Sequence, residues 1–401
     1  MSLAQEADDL GLYAAAAARS WTHFPHLVRV DGLTTPQAAA LRDKARLLDV
    51  RVSETMPYRH GEEWSEGVML SGDTVSLSTL ARDLSRTYAS VARAVSDVLA
   101  SLSSRPHRLH FKGGDLVLDR AAGALVMGVV NVTPDSFSDG GRFATPEAAV
   151  EHGLRLAADG AAIVDVGGES TRPGATPVPA SEEAARVVPV VRKLRAALPP
   201  GVVISIDTMK AFVAREAVLA GAEIVNDVSG LSADPAMRQT VAALGVHAIL
   251  NHMRGTPRTM QQTPAYHHVI PEVIADLVHL ADAALRAGIA SERILIDPGV
   301  GFGKRVSDNL AILRHLSAFV SLGRPVVVGV SRKSFLSALS DDEGPASAGR
   351  ADSTLAMEAC AVIGGAHILR THEVARAARA ARIAAAVAGA PRTEEPRPGP
   401  G

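Results

Sequence analysis

Between residues 125 and 388 the chain repeats one pattern eight times: a short apolar run, a polar break, then apolar positions three and four apart. The runs predict strands over 125–130, 161–166, 202–206, 222–226, 246–250, 293–296, 325–330 and 366–370. They are continuously apolar rather than alternating, as in parallel strands buried on both faces. Helices fill the gaps, most clearly Glu182 to Leu198, Val269 to Ala287 and Ser353 to Ile363. Such an alternation makes either a doubly wound sheet or a closed (β/α)8 TIM barrel.

The polar residues after the runs decide between the two. They read Asn131-Val-Thr-Pro-Asp-Ser-Phe-Ser-Asp-Gly-Gly, Gly167-Gly-Glu-Ser-Thr-Arg-Pro-Gly, Asp207-Thr, Asn226-Asp-Val-Ser-Gly, Asn251-His-Met-Arg-Gly, Asp297-Pro-Gly, Ser331-Arg-Lys-Ser and Arg370-Thr-His. A doubly wound sheet concentrates ligand groups at one switch point, whereas a barrel can use every strand end. All eight ends carry candidates here, so the chain reads as α/β, a (β/α)8 barrel over 106–390.

A different pattern precedes it. Strands are expected at His26 to Val30, Val50 to Glu54 and Gly67 to Ser71. Helices are expected at Thr35 to Leu48, with Pro36 at its start, at Leu77 to Thr87 and at Tyr88 to Leu102. Residues 25–105 thus read as a small α+β domain, with Ser101-Leu-Ser-Ser-Arg-Pro as linker. Arg108 to Phe111 and Leu116 to Leu118 read as a hairpin. Residues 1–24 read as a flexible leader, and the Pro-rich 391–401 as a disordered tail.

Composition narrows the function. A net charge of −2 gives no basic field for nucleic acid or anionic membrane. No apolar stretch is long enough to span a bilayer, and no signal peptide is visible, so the expected location is the cytoplasm. The single cysteine, Cys360, excludes a disulfide framework and reads as a buried structural thiol.

The loop Gly299-Val-Gly-Phe-Gly-Lys304 fails as a phosphate loop, because Arg305 stands where Ser or Thr is needed. Its Phe302 is suited to cover a flat ligand. Ser331, Arg332, Lys333, Arg370 and His372 gather at strand ends seven and eight, the corner where barrels often bind phosphate. Asp207, Asn226 and Asp297 can pair with the donor and acceptor edge of a heterocycle, the alternative being helix caps. Asp227 reads as structural. Asn131 and Asp135 offer oxygens to a Mg²⁺ carried by phosphates.

Taken together these strings resemble the dihydropteroate synthases of the pterin-binding barrel enzymes, from about Leu125 to Ala388. The resemblance implies condensation of 6-hydroxymethyl-7,8-dihydropterin diphosphate with 4-aminobenzoate, Mg²⁺ as cofactor, and a homodimer. It implies a pterin pocket of Asp207, Asn226, Asp297 and Lys333, and a diphosphate and metal site of Asn131, Arg370 and His372. It places Thr171, Arg172, Pro173, Phe137, Phe302 and Ser331 at the aminobenzoate pocket and its lid. Lys333, Asp297, Arg370 and His372 are the implied catalytic residues. Two positions depart from the pattern: Asn251 stands where Met is usual, and Glu373 where Asp is usual. Methyl transfer from a folate, or pterin binding without catalysis, are the competing readings.

Overall fold

The computed structural model describes residues 26–48, 50–54, 58–60, 63–102, 106–132, 145–171, 176–262, 264–339 and 348–389. The expected leader and tail, and Asp135, Phe137, Arg172 and Pro173, lie outside the described residues.

Eight parallel strands form the central sheet: β7 (Leu125–Asn131), β8 (Ile163–Gly167), β9 (Val203–Asp207), β10 (Ile224–Asp227), β11 (His247–Asn251), β12 (Ile294–Asp297), β13 (Val327–Val328) and β14 (Ile368–Thr371). Their order, β12-β11-β10-β9-β8-β7-β14-β13, closes through a bridge between Ile296 and Val326. The TIM barrel expected from the pattern is therefore present, with its strands one or two residues off the expected bounds. The largest difference is the seventh, expected over 325–330 but laddered only at Val327–Val328. Pro325 has no N–H to give and only its carbonyl is used, by Ile296 N.

Helices surround the sheet: α4 (Pro146–Ala158), α5 (Ala180–Ala197), α6 (Ala211–Ala220), α7 (Met237–Leu244), α8 (Val269–Arg286), α9 (Val306–Arg314), α10 (Leu316–Val320), α11 (Ala348–Ile363) and α12 (Val374–Gly389). Two apolar clusters lie between helices and sheet. The buried face of α11 runs through Thr354, Glu358, Ala361 and Val362. Cys360 falls off that face and is exposed, which corrects the expected buried thiol. An apolar stretch does not by itself say which residues meet the sheet; helical phase does.

Inside the barrel each strand gives one apolar residue to a single floor: Met127, Ile163, Val203, Ile224, Ile249, Leu295, Val327 and Ile368. The hairpin of β5 (His107–Phe111) and β6 (Gly114–Leu118) seals this floor from below with Leu109 and Leu118. Lys112 N donates to Glu223 Oε2 at 2.9 Å, fixing the hairpin tip. A Cβ at Gly113 would lie 1.8 Å from the Pro200 carbonyl oxygen, so only glycine allows this approach.

Side chains alternate along a strand, so the next inward residue stands two positions on, about 7 Å higher. Those residues are Val129, Asp165, Ser205, Asn226, Asn251, Asp297, Gly329 and Arg370. Six of the eight are polar or charged, so the lumen turns mostly polar in one step.

The first unit pairs β1 (His26–Leu33), β4 (Glu63–Gly72) and β2 (Arg51–Glu54) antiparallel, with β3 (Tyr58–His60) also on β4. The short β3 was not expected from the pattern. Helices α1 (Thr35–Ala45), α2 (Thr74–Leu84) and α3 (Ala89–Leu102) build its core with Val28, Leu41, Leu70, Leu77, Leu80 and Val95. Thr34 and Gln37 close α1 in a reciprocal capping box, and Pro36 falls in its first turn.

Candidate active site

The polar layer meets at the C-terminal mouth of the barrel. Arg370 is its hub: Nε donates to Asp165 Oδ2 at 2.7 Å and a terminal nitrogen to Asp207 Oδ2 at 2.6 Å. Asn226 Nδ2 donates to the same Asp165 oxygen at 3.1 Å. Asp207 does not cap α6, whose first amide, Ala211 N, bonds Asp234 Oδ2 at 2.8 Å. Asp297, 7 % exposed, accepts from Gly299 N at 2.7 Å. Lys333 donates to the Val300 carbonyl, and its Nζ lies 4.4 Å from the centre of the Phe302 ring. Ser331 Oγ and His372 Nδ1 are 3.0 Å apart and share a hydrogen bond.

Burial sets the charges here. It pushes the Asp207 carboxyl up to about 7, aided by the nearby carboxylates of Asp165, Glu183 and Asp227 and opposed by Arg370. Burial raises Asp297 as well, against the pull of Lys333. Burial brings Lys333 down to about 8, with Asp297 opposing and Arg370 adding. Burial also works against the Arg370 charge, but Asp165 and Asp207 outweigh it and hold the guanidinium above its ordinary value. The mouth therefore places the Asp207 carboxyl and the Lys333 amine, both drawn toward neutrality, and the raised carboxyl of Asp297 around one fixed positive charge.

Asp207, Asn226, Asp297, Lys333, Phe302, Ser331, Arg370 and His372 all converge on this mouth. Asn131 ends β7 in register with Gly167, and Thr171 is half-buried in the segment leaving β8. Arg332 bonds Glu373 Oε1 at 3.1 Å, so the Glu at that position ties the last two strand ends together. Asn251 spends its amide on the carbonyls of Val228 at 3.0 Å and His252 at 3.3 Å. Asp227 accepts both the amide and hydroxyl of Ser229, the structural part expected of it.

Sequence reasoning passed over Asp165, although a lone acid inside Ile163-Val164-Asp165-Val166 was its signal. It also passed over Lys304. That residue is 3 % exposed and its amine meets the carbonyls of Gly299 at 2.9 Å and Phe302 at 3.1 Å, and His252 Nδ1 at 2.8 Å. Burial draws it well below the ordinary lysine value. Gly299, at φ 69°, passes so close to His252 that a Cβ would lie 1.8 Å from its carbonyl oxygen. This loop is packed in place, and Phe302 is held where it stands.

The profile of the pterin-binding enzymes matches residues 127–372, which span the barrel from β7 to the end of β14. The chain belongs to the pterin-binding enzyme family. Among curated members it is 46 % identical over 265 residues to the dihydropteroate synthase of Mycobacterium leprae, covering 65 % of this chain and 92 % of that one. It is 43 % identical to that of Escherichia coli, covering 66 % and 92 %. Among solved structures it is similar to Xanthomonas albilineans dihydropteroate synthase with 4-aminobenzoic acid, at 46 % identity and a TM-score of 0.65, over 71 % of this chain and all of that one. It is also similar to the Yersinia pestis enzyme in a sulfonamide drug complex, at 39 % identity and a TM-score of 0.66, again over 71 % and 100 %.

Proposed function

We propose that this pterin-binding enzyme is a dihydropteroate synthase, a transferase of folate biosynthesis. It condenses 6-hydroxymethyl-7,8-dihydropterin diphosphate with 4-aminobenzoate, giving 7,8-dihydropteroate and diphosphate. The carrying observation is the cluster of Asp207, Asn226, Asp297 and Lys333 at the barrel mouth, above an apolar floor, with Arg370 bonded to Asp207 and His372 bonded to Ser331. The relatives, one of them a Xanthomonas albilineans synthase in complex with 7,8-dihydropteroate, support the same reading.

In this reading the pterin edge pairs with Asp297, Asn226 and Asp207, and its ring lies by Phe302 and Lys333. The C–O bond to diphosphate breaks, the arylamine nitrogen bonds the freed methylene carbon, and that nitrogen loses a proton to solvent. Asp207 and Asp297 face the positive charge that develops on the pterin as the leaving group departs. Arg370 and His372 take the diphosphate oxygens. An arylamine is already a competent nucleophile, so no strong base is needed.

Asn131 supplies one hard oxygen at the mouth, and among the described residues no group of three or more His, Cys, Asp or Glu could hold a metal. One side-chain oxygen fits a Mg²⁺ that arrives on the diphosphate. When bound, the ion would neutralise leaving-group charge.

Thr171, Arg172, Pro173, Phe137 and Ser331 are assigned to the aminobenzoate side. No helix among the described residues is long and apolar enough to cross a membrane. A cytoplasmic homodimer completes the reading; light scattering tests the dimer.

The test is diphosphate release that requires both substrates, together with mass spectrometry for a pterin–sulfonamide adduct. Release without 4-aminobenzoate, or no adduct alongside no turnover, overturns the assignment. Folate methyl transfer would need no diphosphate at all.

A further inference from the structure

A second buried ionic cluster lies beside the mouth and is not used by the reaction above. Lys210, three residues after Asp207, donates to Glu169 Oε2 at 2.6 Å and to Glu183 Oε2. Glu169 also accepts from Val178 N at 2.9 Å. Residues 169 and 178 are the outgoing and returning stems of the segment that leaves β8 and carries Thr171. Glu183 is in the first turn of α5, fully buried, with Oε1 lacking a hydrogen-bond partner. Arg186, one turn on, donates to the Gly168 carbonyl at 3.0 Å. A Cβ at Gly168 would come 2.9 Å from Glu183 Cγ, so the stem runs directly against that side chain.

One ammonium thus binds two carboxylates from two different elements. Without it two buried negative charges would face each other, and the stems would lose their common anchor. The anchor also sits on the strand end that carries Asp207.

We infer that Lys210 is a positioning residue for the second substrate: it clamps the stems of the 169–178 segment so that Thr171 is held for 4-aminobenzoate and its sulfonamide mimics. The inference rests on the synthase reading for the identity of that substrate. A Thr171 fixed in advance meets its ligand without a further ordering cost. The larger effect therefore falls on aminobenzoate binding and the smaller on pterin binding.

The test uses the full chain with Lys210→Met and Lys210→Arg, each first checked for fold by circular dichroism. Lys210→Met is expected to raise KM for 4-aminobenzoate by roughly tenfold, with the pterin diphosphate Kd by titration calorimetry changed about threefold or less. Lys210→Arg should recover most of the loss. Equal weakening of both substrates, or an unchanged KM, overturns the inference. Amide exchange at Val178 is the readout independent of turnover: slow in the parent protein and fast in Lys210→Met. Equal protection in both overturns the clamp, whereas failure of the parent protein to release diphosphate overturns the synthase reading alone. If Lys210→Met does not fold, Glu169→Gln, which keeps shape and removes one charge, must show the same KM rise and faster Val178 exchange, or the inference fails.

Discussion

The two ends of the barrel lumen are made from the same eight strands and obey opposite rules. At the floor, eight aliphatic or thioether side chains close on Leu109 and Leu118, and histidines at the rim are kept neutral. His367 Nδ1 accepts from Val326 N at 3.1 Å, and its ring meets His107 edge-on at 5.0 Å. Burial draws His247 down to about 4 and His367 down to about 3. Toward the mouth, burial acts on acids and an amine instead, and Asp207 and Lys333 are moved toward neutrality from opposite sides. Low polarity at the base refuses charge. Low polarity at the mouth makes charge adjustable, because Arg370 supplies a fixed reference.

The largest test of this contrast is Arg370→Ala. Asp165 and Asp207 lose their partner and, in the proposed reaction, the leaving group loses a cation. Diphosphate release should fall about 100-fold or more, consistent with a loss on the order of 2 to 4 kcal/mol. The melting temperature should fall as well, because Asp165 and Asp207 are left facing each other. Near-normal turnover would remove Arg370 from the mouth's chemistry.

Next comes the floor. Leu109→Ala opens a cavity under eight packed side chains and should cost about 2 to 5 kcal/mol in urea unfolding. KM values should hold within about twofold, since no floor residue touches the polar layer's hydrogen bonds. A large KM change would show that floor and mouth are not separable.

Acid supplies a smaller effect. The folded His247 and His367 values lie below the ordinary histidine value of 6.5, so the unfolded chain binds more protons between 6.5 and about 4. The stability these two rings contribute is fully present above pH 6.5 and is lost as pH falls toward 4, by about 1 to 3 kcal/mol for each ring, while the raised Asp207 carboxyl acts in the opposite sense over the same range. The difference in melting temperature between the parent protein and His367→Asn, followed from pH 7.5 to 4.5, isolates the histidine part. His367→Asn, which keeps an acceptor for Val326 N but cannot titrate, should flatten the profile; an unchanged slope would assign the acid sensitivity elsewhere.

The smallest expected effect is deletion of the first unit. A chain beginning at Pro106 retains the hairpin and the whole mouth, and its kcat/KM should stay within about threefold. A folded but inactive product would give that unit a part in the site.

Much of this was legible in the residues. Strand ends announce the mouth because a buried apolar run must stop where polar groups begin, and the stops at Asp207, Asn226, Asp297 and Arg370 all lie there. Pairing within the layer was less legible. Periodicity assigns a face but not a partner, so neither the Arg370 bond to Asp165, 205 positions away, nor Lys210 between Glu169 and Glu183 could be read from spacing. Lys304 was hidden for another reason: a lysine in a glycine-rich loop is normally solvated, and only the three-dimensional turn at Gly299 encloses it. Cys360 shows the converse, an apolar neighbourhood in sequence that is open in space.

The closed lumen also works as a depth stop. In the proposed reading a flat bicyclic ring is stopped by the polar layer of Asp165, Asn226 and Arg370 that stands above the floor, so its substituent is left pointing outward. Anything joined to that substituent must approach from the solvent side, after the ring is seated. The sequence of loading in the proposed condensation is then a matter of queueing: the narrow end is blind, and the first molecule in is the deepest.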